Sequence, residues 1–92
     1  MKIRISKSAV IDLQQIEDYI QPSNPAAAAR TVLRVLDAIK YLLTYPTMGR
    51  LGRVAKTREL IISSTPFIVI YQIRGSIIVV LRIFHASRKW PK

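Results

Sequence analysis

The sequence contains no cysteine, and it has only one histidine, three glycines and five carboxylates among its 92 residues. Without cysteine there is no disulfide and no thiolate metal site, which argues against a small extracellular fold held together by cross-links. A metal site needs three or four grouped ligands, and the few carboxylates are scattered along the chain. We therefore expect no bound metal and no organic cofactor.

Long hydrophobic runs are also missing. No apolar stretch approaches the roughly 18 residues that a membrane span requires. The first six residues alternate apolar and charged side chains, unlike the unbroken apolar stretch of a signal peptide. We therefore expect a cytoplasmic protein that makes no use of a membrane. Half of the residues are hydrophobic, which is enough for one core, so we expect residues 1–92 to form a single domain.

Positive charge is abundant and unevenly distributed. The net charge is +10. Residues 1–37 hold five Lys or Arg against four acids, a net charge of +1, whereas residues 38–92 hold ten against Glu59 alone, a net charge of +9. Such a field attracts nucleic acid or an acidic protein, although a solvated basic surface is the plainer explanation. No recognition-helix pattern supports a simple nucleic-acid-binding module.

The chain begins with a short strand and two amphipathic helices. Apolar residues, Val10 and Tyr19 among them, recur at helical spacing over residues 7–20 and predict a buried stripe, with Asp12 and other polar residues on the opposite face. Ser6, just before this helix, is a suitable N-cap. A second helix begins after Asn24, with Pro25 at its first position, and is expected to run to about Tyr45 because Pro46 stops it. The short link between the helices predicts an antiparallel helical hairpin.

The second half predicts a loop followed by three strands. Residues 47–56 hold two glycines and three basic residues and are expected to form a loop. Period-two and apolar patterns then predict strands at about residues 57–63, 67–73 and 77–84. The last two are almost wholly apolar, which indicates burial on both faces or a face covered by a partner. The order predicts an α+β fold, β-α-α-β-β-β, with the helical hairpin packed on a small, mostly antiparallel sheet.

Few residues have side chains that could catalyse a reaction. Cleavage of RNA without a metal needs a base, an acid and cations near the phosphate. Glu59 as the base, His85 as the acid, and Arg58 with Arg82 on the phosphate would supply these groups. A simpler interpretation is that His85 caps or packs at a strand end and that Glu59 pairs with surface arginines.

Arg82 interrupts an apolar strand between Leu81 and Ile83, so its guanidinium must reach solvent or a carboxylate. It either pairs with Glu59 or a helix acid, or it faces a groove that binds a target. The basic tail carries Arg88, Lys89 and Trp90, and the tryptophan either anchors a target or folds back over the sheet. Arg58, Arg82, Arg88, Lys89 and Trp90 are therefore the candidate target-binding residues.

Three stretches are together similar to the RelE/ParE superfamily of toxins, and most similar to its ParE-type branch. The resemblance covers essentially the whole chain. Its stretches are Pro46-Thr47-Met48-Gly49-Arg50, then Thr57-Arg58-Glu59-Leu60 with Pro66-Phe67-Ile68-Val69-Ile70-Tyr71, and then Leu81-Arg82-Ile83-Phe84-His85 followed by Arg88 and Trp90-Pro91.

The resemblance implies the toxin of a type II toxin–antitoxin pair, neutralised by a small ParD-like antitoxin in a hetero-oligomer. ParE-type members are described as poisons of DNA gyrase, whereas RelE-type members cleave mRNA at the ribosome. Ribonuclease members often have arginine where Ile68 stands, and a C-terminal tyrosine where this chain has Trp90. The sequence therefore favours a ParE-like gyrase inhibitor that binds rather than cuts, with a RelE-like ribosome-dependent mRNA endoribonuclease as the alternative.

Overall fold

A computed structural model describes residues 1–88 of the chain. The elements follow the predicted order, with one short strand added. They are β1 (Lys2–Ile5), α1 (Lys7–Ile20), α2 (Pro25–Tyr41), β2 (Arg50–Leu51), β3 (Arg58–Ile61), β4 (Phe67–Arg74) and β5 (Ile77–His85). The fold is α+β, as predicted.

Both helices begin at the capping residues that the sequence predicts. The Ser6 hydroxyl accepts a hydrogen bond from the backbone N–H of Ala9, and the Asn24 side chain accepts one from the N–H of Ala27. These bonds satisfy backbone donors that have no partner within the first helical turn. Pro25 occupies the first turn of α2, where its missing N–H costs nothing.

The second helix ends at Tyr41, four residues earlier than predicted. The N–H groups of Leu42, Leu43 and Thr44 each donate to a carbonyl three residues back, so the last turn tightens after Tyr41. The residue before a proline also disfavours helical backbone, which opposes continuation up to Pro46.

The five strands form one sheet in the order β1-β5-β4-β3-β2. Neighbouring strands are antiparallel except for β1, which pairs in parallel with β5. The prediction that residues 47–56 form only a loop is wrong, because Arg50 and Leu51 pair with Glu59 and Arg58. Two residues are too short a strand to leave a period-two pattern in the sequence.

The core lies between the helical hairpin and one face of the sheet. Ala9, Val35 and Ile39 of the helices pack with strand residues of that face, which include Val69, Tyr71 and Val80. On α1 the predicted apolar stripe is partly wrong. Val10 and Tyr19 are 54% and 87% exposed, whereas Asp12 is buried. Asp12 is buried because it forms an ion pair with Arg82 of β5.

The opposite face of the sheet is also largely buried. Ile70 and Phe84, which alternate with the core residues, are 2% and 4% exposed, although no helix packs on their face. The guanidinium of Arg82 lies 4.5 Å from the centroid of the Phe84 ring. The apolar last two strands therefore reflect burial on both faces, one of the two explanations that the sequence left open.

Candidate functional site

The strand register decides which candidate residues share a face. Glu59 is opposite Ile70, and Ile70 is opposite Arg82, so Glu59 and Arg82 lie in one row on the sheet face away from the helices. Arg58 precedes Glu59 in the same strand and therefore points to the other face. An irregularity between Ile70 and Tyr71 shifts the register of β4 against β5, and no sequence pattern marks it.

Arg82 is paired with an acid of the first helix. Its Nε and Nη2 donate to Asp12 Oδ2 and Oδ1 at 2.7 and 3.0 Å, a bidentate contact. The backbone N–H of Ile83 donates to the same carboxylate at 2.9 Å. The hydrogen bond that Arg82 donates to Asp12 raises the pKa of Arg82 above its ordinary value, against the opposing effect of burial. The guanidinium therefore stays charged and joins α1 to β5.

Glu59 is 4% exposed and is held by the short loop before it. Arg50 donates to Glu59 Oε1 through Nη2 at 2.9 Å and through Nε at 3.2 Å, and the backbone N–H of Arg53 donates to Oε2 at 3.3 Å. The suggestion that Glu59 pairs with a surface arginine is confirmed. A carboxylate so occupied must give up these contacts before it can act as a base.

Arg58 and Tyr71 together hold the loop that follows the second helix. Arg58 Nη1 donates to the carbonyls of Gly49 and Thr47 at 2.8 and 3.2 Å. The Tyr71 hydroxyl donates to the Pro46 carbonyl at 2.7 Å and accepts from the Gly49 N–H at 2.9 Å. Burial raises the pKa of Tyr71, while the bond from Gly49 and the charge of Arg58 oppose that shift. Arg58 thus stabilises the loop from the sheet.

His85 lies at the end of the last strand and is exposed. Its ring makes an edge-to-face contact with Phe67, with a centroid distance of 5.7 Å. Its Nδ1 accepts from the backbone N–H of Ser87 at 3.1 Å and lies 2.7 Å from the Ser87 hydroxyl. Since Nδ1 accepts, the neutral ring carries its proton on Nε2. These contacts match the capping and packing role that the sequence allowed.

A cleft of about 710 Å³ opens between the C-terminal half of α1 and the end of the sheet. Its apolar wall is formed by Ile16 and Ile20 of α1 together with Phe67 and Ile83 of the strands. Arg88 lies at its edge, the only described basic residue in its lining besides His85. Arg88 is exposed, and Lys89 and Trp90 lie outside the described residues.

Of the partners that the sequence allowed for Arg82, Glu59 or a helix acid, the helix acid is confirmed, but sequence reasoning did not single out Asp12, and it missed Tyr71 as the residue that holds the loop together with Arg58. Asp12 sits among polar residues on the predicted outer face of α1, and nothing local distinguishes it from Glu17 or Asp18. Tyr71 ends an apolar run, and its hydroxyl gives the one signal available, since a buried tyrosine hydroxyl needs a partner.

The described part of the chain offers no metal site, since residues 1–88 contain no group of three or more His, Cys, Asp or Glu placed to hold an ion. No helix within these residues is long and apolar enough to cross a membrane.

Comparisons with known proteins agree with this architecture. The sequence model of the family described as "ParE toxin of type II toxin-antitoxin system, parDE" matches residues 3–90. A protein of Sinorhizobium fredii (strain NBRC 101917 / NGR234) that is named as a candidate toxin, Y4kP, is 38% identical over 91 residues, which is 99% of this chain and 94% of that protein. A solved structure titled "Chromosomal ParDE TA system from P. aeruginosa" superposes with a TM-score of 0.84 at 26% identity, over 92% of this chain and 95% of that chain.

Proposed function

This chain belongs to the family of ParE toxins of type II toxin–antitoxin systems, and on that premise we propose that it inhibits bacterial growth by binding DNA gyrase and is neutralised by a cognate antitoxin. Gyrase is the target that the ParE-type resemblance implies. The proposal places the protein in the cytoplasm, where gyrase acts.

The observation that carries binding over RNA cleavage is the state of the four candidate catalytic residues. Glu59 and Arg82 are held by Arg50 and Asp12 on one face of the sheet, and Arg58 points to the other face and holds backbone carbonyls. General acid–base catalysis needs an acid and a base within hydrogen-bonding reach of the reacting atoms. Glu59 and His85 line one small pocket on the same face, but both carboxylate oxygens of Glu59 are already bonded, to Arg50 and to the Arg53 N–H, and Arg58 is absent from that pocket. The set therefore lacks a free base beside the cations that cleavage would need.

The target-binding surface that we propose combines direct and supporting residues. Arg88, Lys89 and Trp90 form the basic and aromatic tail, a composition that suits an interface anchor with a charged rim. Arg58 and Arg82 contribute indirectly in this proposal, since Arg58 fixes the loop after α2 and Arg82 fixes the last strand to α1. Positive charge in the second half of the chain speeds association with an acidic partner.

An antitoxin partner is supported by the charge and by the structural neighbour. The net charge of +9 over residues 38–92 favours an acidic partner. The similar solved structure is titled as a ParDE system, a toxin with its antitoxin. Stable toxin–antitoxin hetero-oligomers are the expected form in the cell.

The mechanism can be tested with the purified protein in two parallel assays, one for gyrase supercoiling and one for cleavage of ribosome-bound mRNA. We expect inhibition of supercoiling and intact mRNA. His85→Ala should inhibit growth like wild type, because a binding toxin has no proton-transfer step, whereas loss of a catalytic acid lowers a rate by about 100-fold or more.

Deletion of residues 88–92 should weaken inhibition while the truncated protein still folds and binds antitoxin. Cutting of mRNA by wild type, together with inactivity of folded His85→Ala, would establish the ribonuclease alternative and overturn the proposal.

A further inference from the structure

The segment from the end of α2 to β2 carries four large apolar side chains that the core leaves exposed. They are Tyr41, Tyr45, Met48 and Leu51, which are 48–78% exposed, Leu51 the most. Single exposed apolar residues are common, but four within eleven consecutive residues are the pattern of an interaction surface. We call these four residues the β2 patch, because β2 is the edge strand of the sheet on this side.

Backbone contacts hold the residues of the β2 patch close together. The Tyr45 N–H donates to the Tyr41 carbonyl at 2.9 Å, and the Met48 N–H donates to the Tyr45 carbonyl at 3.1 Å. Leu51 is opposite Arg58 in the sheet, and Arg58 bonds the two carbonyls on either side of Met48. The sheet therefore fixes the shape of the patch, which reduces the entropy lost when a partner binds.

The surroundings of the β2 patch are positively charged. Residues 38–58 hold five Lys or Arg and no Asp or Glu. Lys40 and Lys56 are exposed, and Arg50 is exposed as well, although it pairs with the buried Glu59. A positive rim around apolar side chains fits a partner surface that is acidic around an apolar centre.

The composition of the β2 patch favours a protein partner over a nucleic acid. Tyrosine, methionine and arginine are enriched in the centres of protein–protein interfaces. Leu51, the most exposed of the four residues, can neither stack on a base nor bond a phosphate, which are the contacts that nucleic acids need.

The rim of the β2 patch adjoins the basic tail. Arg53, which follows β2, and Arg88, at the start of the tail, line the same small pocket of about 30 Å³. The tail is already part of the target-binding surface proposed above. Two adjoining surfaces of the same charge are suited to one partner, so this continuity points to the target.

Lys56 occupies a position that is unfavourable for a lysine. It lies in the turn between β2 and β3 with φ of 66°, a left-handed conformation that is strained for any residue with a Cβ and that glycine adopts without this penalty. Strained residues are found at functional sites, where the side chain serves a purpose that a better-fitting residue would not. The charge that Lys56 adds to the rim is such a purpose.

We propose that the β2 patch and the cations around it form a second part of the surface that binds DNA gyrase, and that they contact an acidic region of gyrase with apolar side chains at its centre. This inference rests on the proposed function and deepens it, because it assigns the target a binding site at the β2 edge. Arg58 is then a positioning residue, since it holds the carbonyls around Met48 and keeps the patch in place.

The matched variants Leu51→Ala and Ile11→Ala test the apolar part of this surface. Ile11 is also an exposed aliphatic residue, but it lies on α1 beside Asp12, which bonds β5, three strands away from β2. Because both side chains are exposed, neither substitution should unfold the protein. Measured by surface plasmon resonance on the gyrase holoenzyme, the affinity of Leu51→Ala should fall about tenfold or more, and that of Ile11→Ala should stay within about twofold of wild type.

Lys56→Gly separates binding from folding. Glycine relieves the left-handed strain, so Tm should not fall, but the lost charge should weaken inhibition of supercoiling several-fold at low salt. Ser64, in the turn between β3 and β4, has φ of 64° and no charge, so Ser64→Gly makes the same backbone change and should inhibit like wild type. A lysine that served only the turn would not give a stable variant with weak inhibition.

The outcomes separate this site from the proposed function. If the wild type neither binds nor inhibits gyrase, the proposed function fails and the β2 site fails with it. If the wild type inhibits gyrase, and Leu51→Ala and Lys56→Gly inhibit equally well, the β2 site alone is overturned. It is also overturned if these variants keep gyrase inhibition and lose binding to the antitoxin, to free DNA or to a second copy, because the patch then serves that partner.

Discussion

Replacing Arg82 with alanine tests whether this arginine holds the fold or contacts the target. Among residues 1–88, the substitution leaves the Asp12 carboxylate, which is 8% exposed, with the Ile83 N–H as its one hydrogen-bond partner. Removing one member of a buried ion pair costs about 3–5 kcal/mol. Because the Arg82 side chain is 29% exposed, water partly replaces it. We therefore expect a loss of about 2–3 kcal/mol in the free energy of unfolding.

That loss is a large part of the stability of a domain this small. At about 0.05–0.15 kcal/mol per residue, 92 residues provide roughly 5–14 kcal/mol. For a domain of this length, 1 kcal/mol corresponds to about 4–8 °C, so Tm of Arg82→Ala should fall by about 10–20 °C. Toxicity should fall in proportion to the folded fraction.

A double-mutant cycle with Asp12→Ala assigns the loss to the pair. Asp12→Ala removes the acceptor of the Ile83 N–H, at about 1–3 kcal/mol, but leaves Arg82 free to reach solvent. The double variant should be more stable than the sum of the single losses predicts, with a coupling of about 1–3 kcal/mol. Arg74→Ala, which removes an exposed arginine that donates to Gln72, is the matched control. If Arg82→Ala is non-toxic yet melts within about 2 °C of wild type, the structural role assigned to Arg82 is refuted.

Two further predictions concern the loop held by Tyr71. Tyr71→Phe should lower the free energy of unfolding by about 1–3 kcal/mol, since the Pro46 carbonyl and the Gly49 N–H lose their partner. The folded pKa of Tyr71 lies above its unfolded value of about 10, so the contribution of Tyr71 to stability is complete below pH 10 and is lost as the pH rises through the folded pKa. In urea melts from pH 8 to 11, the free energy of unfolding should fall more in wild type than in Tyr71→Phe. Equal falls in the two proteins would contradict this role of Tyr71. Gly49→Ala should cost about 1–3 kcal/mol, because its Cβ would lie 2.7 Å from the Tyr71 ring, whereas Gly75→Ala, with φ of +58° and open space, should cost about 1–2 kcal/mol from backbone strain alone. Thermal melts that show no loss for Gly49→Ala would mean that the ring moves aside freely.

The helices were predictable because their signals are local. Ser6, Asn24 and Pro25 act on backbone groups within three or four residues, so the sequence alone locates both helix starts. The end of α2 was placed too late, because Leu42 and the residues after it close a tightened turn several residues before Pro46, and no residue pattern in the sequence marks that turn.

The contacts of the candidate site were not predictable, because they depend on register and on long separations. Asp12 and Arg82 are 70 residues apart, and their pairing requires β1 to end opposite Val80 so that α1 reaches the edge of β5. The shift between Ile70 and Tyr71 sets which residues of β5 face Glu59. A change of one residue in register exchanges the two faces of a strand, so periodicity could not decide whether Arg58 and Arg82 share a face.

The pairing of charges inside this chain bears on how it can inhibit a target. Arg50, Arg58 and Arg82 are bound to Glu59, to loop carbonyls and to Asp12, so three of the ten basic residues in the second half stabilise a fold with a small core. A ribonuclease that used these arginines and Glu59 for catalysis would have to break these internal contacts when it reacts. A binding toxin has the opposite requirement, because fixed arginines keep the loop and the last strand in one shape and reduce the entropy lost on association. Internal pairing is therefore a cost to a nuclease and an advantage to an inhibitor that binds.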